Sequence, residues 1–213
     1  MARHRLELCI DFISPYSYLA STQLDALAAR IDAEPVRTPV FLGGIMKETG
    51  NRPPAEVPAR GAYLFVDLAR SAAHLGVPIR MMSRFPQRTL SILRAAHAVR
   101  AEASDRYAAF VEAGFAAAWR DDRDLNDPET LVDLARVAGV DADLVVGAPA
   151  DPRWKTALQE ATEAAVAAGA FGAPAWLLSV DGGANELYFG HDRVHLIEAR
   201  VRRGEPWPPL ATG

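Results

Sequence analysis

The chain has 213 residues, half of them hydrophobic, which suits one large domain, or a domain carrying an insertion, with a core that needs no staples. Its formal net charge of −4, without any basic cluster, argues against a nucleic-acid partner. A single cysteine, Cys9, excludes an internal disulfide, and no long apolar span or signal-peptide pattern occurs, so a soluble cytoplasmic protein without a membrane partner is expected.

Residues 6–10 form an apolar run that reads as a strand, with Cys9 inside it as buried filler. In the stretch Asp11-Phe12-Ile13-Ser14-Pro15-Tyr16-Ser17-Tyr18-Leu19 that follows, Ser14 is a good N-cap. Pro15 sits where a missing N–H costs nothing. Tyr18, Leu19, Leu24, Leu27, Ala28 and Ile31 then recur at helical spacing. A hydroxyl therefore stands at the positive end of a helix, which favours a bound anion, thiolates included. Spacing alone is met as well by a well-capped helix and nothing more, and favours that simpler reading. Residues 34–42 read as a second strand, with Pro35 and Pro39 fitting an edge. Gly43-Gly44 and residues 49–54 are turn-rich and read as irregular chain, of the kind that also holds ligands.

From residue 60 to about 169 the chain is alanine-rich and helical, with no strand pattern. Helices are expected over 62–75, 90–103, 105–120, 128–138, 141–146 and 152–168. Tyr107, Phe110, Val111, Phe115 and Trp119 share one face of the third. Leu131, Leu134 and Val137 form the stripe of the fourth. His74 and His97 lack a second ligand at metal spacing, so they read as structural or surface residues and no metal is expected. At Gly169 the texture changes to Gly-Ala-Phe-Gly-Ala-Pro, then a strand over 175–180 and a tight Asp181-Gly182-Gly183 turn. A returning strand follows over 186–190, and a last helix from about His191-Asp192 to Arg203.

The order is β-α-β, a helical block, then β-β-α. This predicts an α/β thioredoxin-like fold with a large all-helical insertion. Residues 1–59 and 166–213 would form the thioredoxin-like domain and 60–165 the helical insertion domain.

Four segments resemble 2-hydroxychromene-2-carboxylate isomerases and kappa-class glutathione transferases, a thioredoxin-like family. They are the stretch from Asp11 to Leu19; Gly44-Ile45-Met46-Lys47-Glu48-Thr49-Gly50-Asn51-Arg52-Pro53-Pro54; Gly169-Ala170-Phe171-Gly172-Ala173-Pro174, like the family's cis-proline segment; and Phe189-Gly190-His191-Asp192-Arg193-Val194. They occur in the family's order across almost the whole chain. The resemblance implies a glutathione site. Ser14 would stand beside the cofactor sulfur, where redox relatives keep a cysteine. Asn51 would contact the tripeptide, and Arg60 falls where kappa enzymes carry a lysine, a swap that changes donor geometry. Ala173, before Pro174, would pair its backbone with the cysteinyl part, as an added strand does. His191 and Asp192 would hold the γ-glutamyl end, although the family commonly has Ser or Asn at the His191 position. The Ala173–Pro174 bond is expected to be cis.

A serine hydroxyl is too weak an acid to act as a redox thiol, and no base to deprotonate Ser14 is visible, but the hydroxyl can hydrogen-bond an incoming thiolate. Three functions follow. The first is a glutathione-dependent isomerase of an unsaturated aromatic carboxylate; the second a kappa-like transferase or peroxidase acting on electrophiles; the third a thioredoxin-like binding module without catalysis. Met46, Phe85 and Ile45 are candidates for an apolar wall beside the sulfur. Lys47, Arg84 and Arg88 are candidates for a substrate carboxylate. The partner is a small molecule, and a homodimer is expected.

Overall fold

A computed structural model describes residues 3–210; residues 1–2 and 211–213, at the outer ends of the expected thioredoxin-like domain, lie outside the described part. Four strands are present among the described residues: β1 (His4–Ile10), β2 (Ala33–Pro39), β3 (Ala175–Ser179) and β4 (Glu186–Phe189). Nine helices accompany them among the described residues: α1 (Pro15–Arg30), α2 (Leu42–Thr49), α3 (Pro58–Leu75), α4 (Leu90–Glu102), α5 (Tyr107–Trp119), α6 (Pro128–Ala138), α7 (Ala142–Gly147), α8 (Pro152–Ala167) and α9 (Val194–Arg203). The sheet order is β2-β1-β3-β4, with β1 parallel to β2 and antiparallel to β3, and β4 antiparallel to β3. This is a thioredoxin fold, and among the described residues no strand lies between Pro39 and Ala175. The two prolines of β2 sit on an edge strand, where a missing ladder donor is tolerated.

Alternation along β1 decides how the sheet is covered. Leu6, Leu8 and Ile10 point into a core shared with Trp176 of β3, Leu24 and Leu27 of α1, and Phe110, Phe115 and Trp119 of α5. Cys9 points the other way, into a smaller core with Val40, Ile45, Ala165, Ala175 and Leu177. The larger core runs without a break from the sheet into the helical block. Cys9 is indeed buried filler, and burial pushes its thiol up to about 12.

Local chemistry sets the element ends. Ser14 is extended and its Oγ accepts from Ser17 N, capping α1, while Pro15 takes the first helical position. Gly76 ends α3 in the left-handed region, with Val77 N donating back to Ala72 O. Asp181 and Gly182 both have positive φ and Gly183 N donates to Val180 O at 2.9 Å, a tight turn within the six-residue connection from β3 to β4.

Three expectations are corrected. Gly43-Gly44 is not irregular chain but lies in the first turn of α2. The Phe41 ring fills the space where side chains would stand, its Cζ 2.9 Å from a Cβ built at Gly43. Val137 does not belong to the buried stripe of α6: it is 71% exposed, and Leu131, Leu134 and Ala138 face the core. The last helix starts at Val194 rather than at His191-Asp192. Its N-cap is Arg193, which makes no side-chain cap, so Asp192 does not cap it.

Candidate active site

The turn between β1 and α1 is fixed from several sides. Ser14 N donates to Asp11 O at 3.0 Å, and Trp119 Nε1 donates to Phe12 O at 2.8 Å. The Ser14 side chain is buried; besides accepting from Ser17 N, its Oγ donates to Ala173 O at 3.1 Å, across 159 positions of sequence. The Ala173–Pro174 peptide is cis, as is Phe85–Pro86. Pro174 O in turn accepts from Gly190 N at 3.1 Å, and Gly190 O accepts from Trp176 Nε1 at 2.8 Å. Ser14, Ala173, Pro174 and Gly190 therefore form one connected strip of backbone and hydroxyl groups at the positive end of α1.

His191 and Asp192 continue that strip. Gly190 has φ +106, and a Cβ built on it would come within 2.8 Å of Asp192 Oδ1, so only glycine lets the carboxylate fold back there. The Asp192 side chain is 53% exposed and pairs with Arg193 at 3.2 Å. The half-buried His191 ring stacks on Tyr16, centroids 4.8 Å apart and planes 18° apart. Burial, the largest influence, pulls the His191 pKa below its ordinary 6.5, which favours a neutral ring. Asn51 lies beside the same strip: its Nδ2 donates to Phe171 O at 2.8 Å and its Oδ1 accepts from Arg52 N. Arg60 stands apart. It is exposed in the first turn of α3 and makes no ion pair or side-chain hydrogen bond among the described residues.

The candidates for the substrate wall separate. Ile45 is fully buried in the smaller core and is not a wall residue, because the inward face of α2 packs on the sheet. Met46 is half-buried, and Phe85 packs against Trp119 with ring centroids 6.0 Å apart. Lys47, Arg84 and Arg88 are exposed. Lys47 lines a groove of about 760 Å³ between α2, α4 and α8, together with Phe41, Leu90, Arg94 and Lys155. That groove contains none of Ser14, Asn51, Ala173, Pro174, His191 or Asp192 and does not define the site.

Sequence reasoning missed three participants. Tyr16 Oη donates to Asp67 Oδ2 of α3 at 2.6 Å; burial first, then Asp67, holds that phenol protonated far above neutrality. Tyr16 lies in the stretch from Asp11 to Leu19, but nothing in the sequence pairs it with Asp67. The third is Asp11, 1% exposed, whose Oδ1 accepts from Thr89 Oγ1 at 2.7 Å and Ile13 N at 3.2 Å, and whose Oδ2 accepts from Leu42 N at 2.9 Å. Burial raises its pKa and these hydrogen bonds oppose the rise. Among the described residues no group of three or more His, Cys, Asp and Glu could hold a metal ion, and no helix is long and apolar enough to cross a membrane.

Comparison with known proteins assigns the class. The family described as a DsbA-like thioredoxin domain matches residues 5–202, and the chain belongs to it, within the branch that holds kappa-class glutathione transferases and 2-hydroxychromene-2-carboxylate isomerases. The chain is 32% identical to glutathione S-transferase kappa 1 of Homo sapiens over 95% of its own length and 92% of the relative's. It is 30% identical to a 2-hydroxychromene-2-carboxylate isomerase of Sphingobium xenophagum, over 91% of its length and 96% of the relative's. A solved 2-hydroxychromene-2-carboxylate isomerase shares the fold with a TM-score of 0.79 at 24% identity, covering 93% of this chain and 94% of that one. The relatives' names support an enzyme of one of these two kinds.

Proposed function

We propose that the protein is a cytoplasmic, homodimeric glutathione-dependent cis-trans isomerase of an unsaturated aromatic carboxylate. The observation that carries this reading is Ser14, a hydroxyl fixed at the N-terminus of α1, 3.1 Å from the carbonyl that precedes a cis-proline. The chain's lone cysteine is buried elsewhere, so no thiol of its own serves this position. The donor set fits glutathione by its chemistry. Ser14 and the first amides of α1 suit a thiolate, the backbone at Ala173 suits a peptide unit, and the Asp192 carboxylate suits an ammonium group. Glutathione, when bound, supplies a thiolate that adds reversibly to a conjugated double bond, so rotation about the resulting single bond and elimination return the thiol and the isomer.

The chain's own residues hold and tune that thiol. Ser14 donates its single hydroxyl hydrogen, a rotor, to the sulfur anion in place of Ala173 O. With the helix dipole this lowers a thiol pKa from about 8.5 towards neutrality. Asn51 holds the 171–174 segment by its bond to Phe171 O and contacts the tripeptide; Asp192 pairs with its ammonium, and His191, neutral and stacked on Tyr16, lines the γ-glutamyl end. Arg60 reaches the cofactor only by turning its long side chain in from α3. Met46 and Phe85 flank the sulfur with apolar surface.

The identity to glutathione S-transferase kappa 1 favours a second reading, a transferase or peroxidase acting on electrophiles. Assaying purified protein with glutathione against a chromene carboxylate and an aryl halide decides. Turnover of the carboxylate without loss of glutathione supports the isomerase. Consumption of glutathione with the halide alone supports the transferase. Binding without either reaction leaves the binding module.

A further inference from the structure

We propose that Asp11 is the positioning residue of the site: its buried carboxylate draws together the starts of α2 and α4 and so fixes the turn that aims the Ser14 hydroxyl. This rests on the proposed role of Ser14 towards glutathione. Neither helix is capped by its own side chain. The N-cap of α2 is Phe41, whose side chain has no polar group, and the N-cap of α4 is Thr89, whose side chain makes no bond back to its helix. The Thr89 hydroxyl is turned instead onto Asp11 Oδ1 at 2.7 Å, and the first N–H of α2, on Leu42, donates to Oδ2 at 2.9 Å. Ile13 N donates to Oδ1 from inside the turn. On the other side of the same residue, the Asp11 carbonyl accepts from Ser14 N at 3.0 Å.

One residue therefore links β1, the turn, α2 and the helical block, and it ends one hydrogen bond from the Ser14 backbone. Burying a carboxylate is costly, and a neutral acceptor at a helix start would avoid that cost. The charged form accepts three donors through two oxygens, which a neutral amide cannot do, having one acceptor oxygen. None of these bonds goes to Ser14 Oγ, so Asp11 acts through the turn and not on the reacting atoms.

The test compares Asp11→Asn, Thr89→Val and Thr89→Ser with the wild type. Hydrogen exchange of the amides of residues 11–19 is measured in the protein alone. Turnover with glutathione and the ultraviolet thiolate absorbance of the complex against pH are measured beside it. Asp11→Asn and Thr89→Val should speed exchange in the turn and lower kcat by about tenfold, the change expected for losing one hydrogen bond to a charged group. KM for glutathione should stay within about threefold, and the thiolate curve should move to higher pH. Thr89→Ser, which keeps the hydroxyl, should recover wild-type exchange. Should Asp11→Asn fail to fold, Thr89→Val decides alone. Faster exchange with kcat and the thiolate curve unmoved would make the network merely structural and overturn the proposal, as would unchanged exchange. A wild-type protein that binds no glutathione would instead refute the proposed function; glutathione binding with unmoved variants refutes only the role of Asp11.

Discussion

Asp192 is more than half exposed, does not cap α9, and pairs with Arg193 at 3.2 Å, a surface ion pair of small worth. Its charge is therefore available to the ligand. Asp192→Asn should weaken glutathione binding on the order of tenfold, the loss of one charge-assisted hydrogen bond, with the melting temperature unmoved. Isothermal titration beside a thermal melt checks both, and unchanged affinity would remove Asp192 from the site. Gly190 behaves differently. Its φ of +106 and the 2.8 Å approach to Asp192 Oδ1 make Gly190→Ala strained. That variant should lose about 1–3 kcal/mol in denaturant unfolding and also weaken glutathione binding, because the carboxylate must move. The glycine and the aspartate were legible as a motif; the contact between them was not, since it depends on a backbone angle.

Among the elements, α5 presses directly on the turn. A Cβ at Gly114 would lie 2.7 Å from Phe12 Cε1 and 2.8 Å from Ile92 Cδ1, and Phe12 stands two residues before Ser14. Gly114→Ala should destabilise by about 1–3 kcal/mol through overpacking. It should also lower activity more than stability alone explains, measured where the variant is fully folded. His97 joins α4 to the end of β2 through a 2.9 Å bond to Pro39 O, and burial pulls its pKa below the ordinary 6.5. In the unfolded chain the ring protonates near 6.5, before the folded one does. Stability is thus full above that pH and falls as pH drops from 6.5 towards the folded pKa. His97→Gln should flatten the fall in unfolding free energy between about pH 7.5 and 5.5; an unchanged slope would contradict this. Periodicity and caps made most helices legible, as with Asp127-Pro128 opening α6. Helix α2 was not, because Gly43-Gly44 reads as a breaker until the Phe41 ring is seen filling the space above it.

For the whole molecule, the β-α-β and β-β-α halves were readable because strand alternation and the strand-free block are local patterns. The bond from Ser14 Oγ to Ala173 O at 3.1 Å spans 159 positions of sequence and was not readable from any local pattern. The bonds donated by Thr89 to Asp11 and by Tyr16 to Asp67 join segments far apart in sequence and leave no periodic trace. The central claim, that this fold presents Ser14 to activate a glutathione thiol, is tested most directly by the thiolate absorbance of the glutathione complex against pH, for wild type and Ser14→Ala. Losing a charge-assisted hydrogen bond of roughly 1.5–3 kcal/mol should move the bound thiol pKa up by about one to two units, with glutathione affinity largely kept. Activity at neutral pH should fall and partly recover in alkaline buffer. A Ser14→Ala complex that titrates where the wild type does, or a covalent adduct on Ser14 in the wild type, would contradict the account.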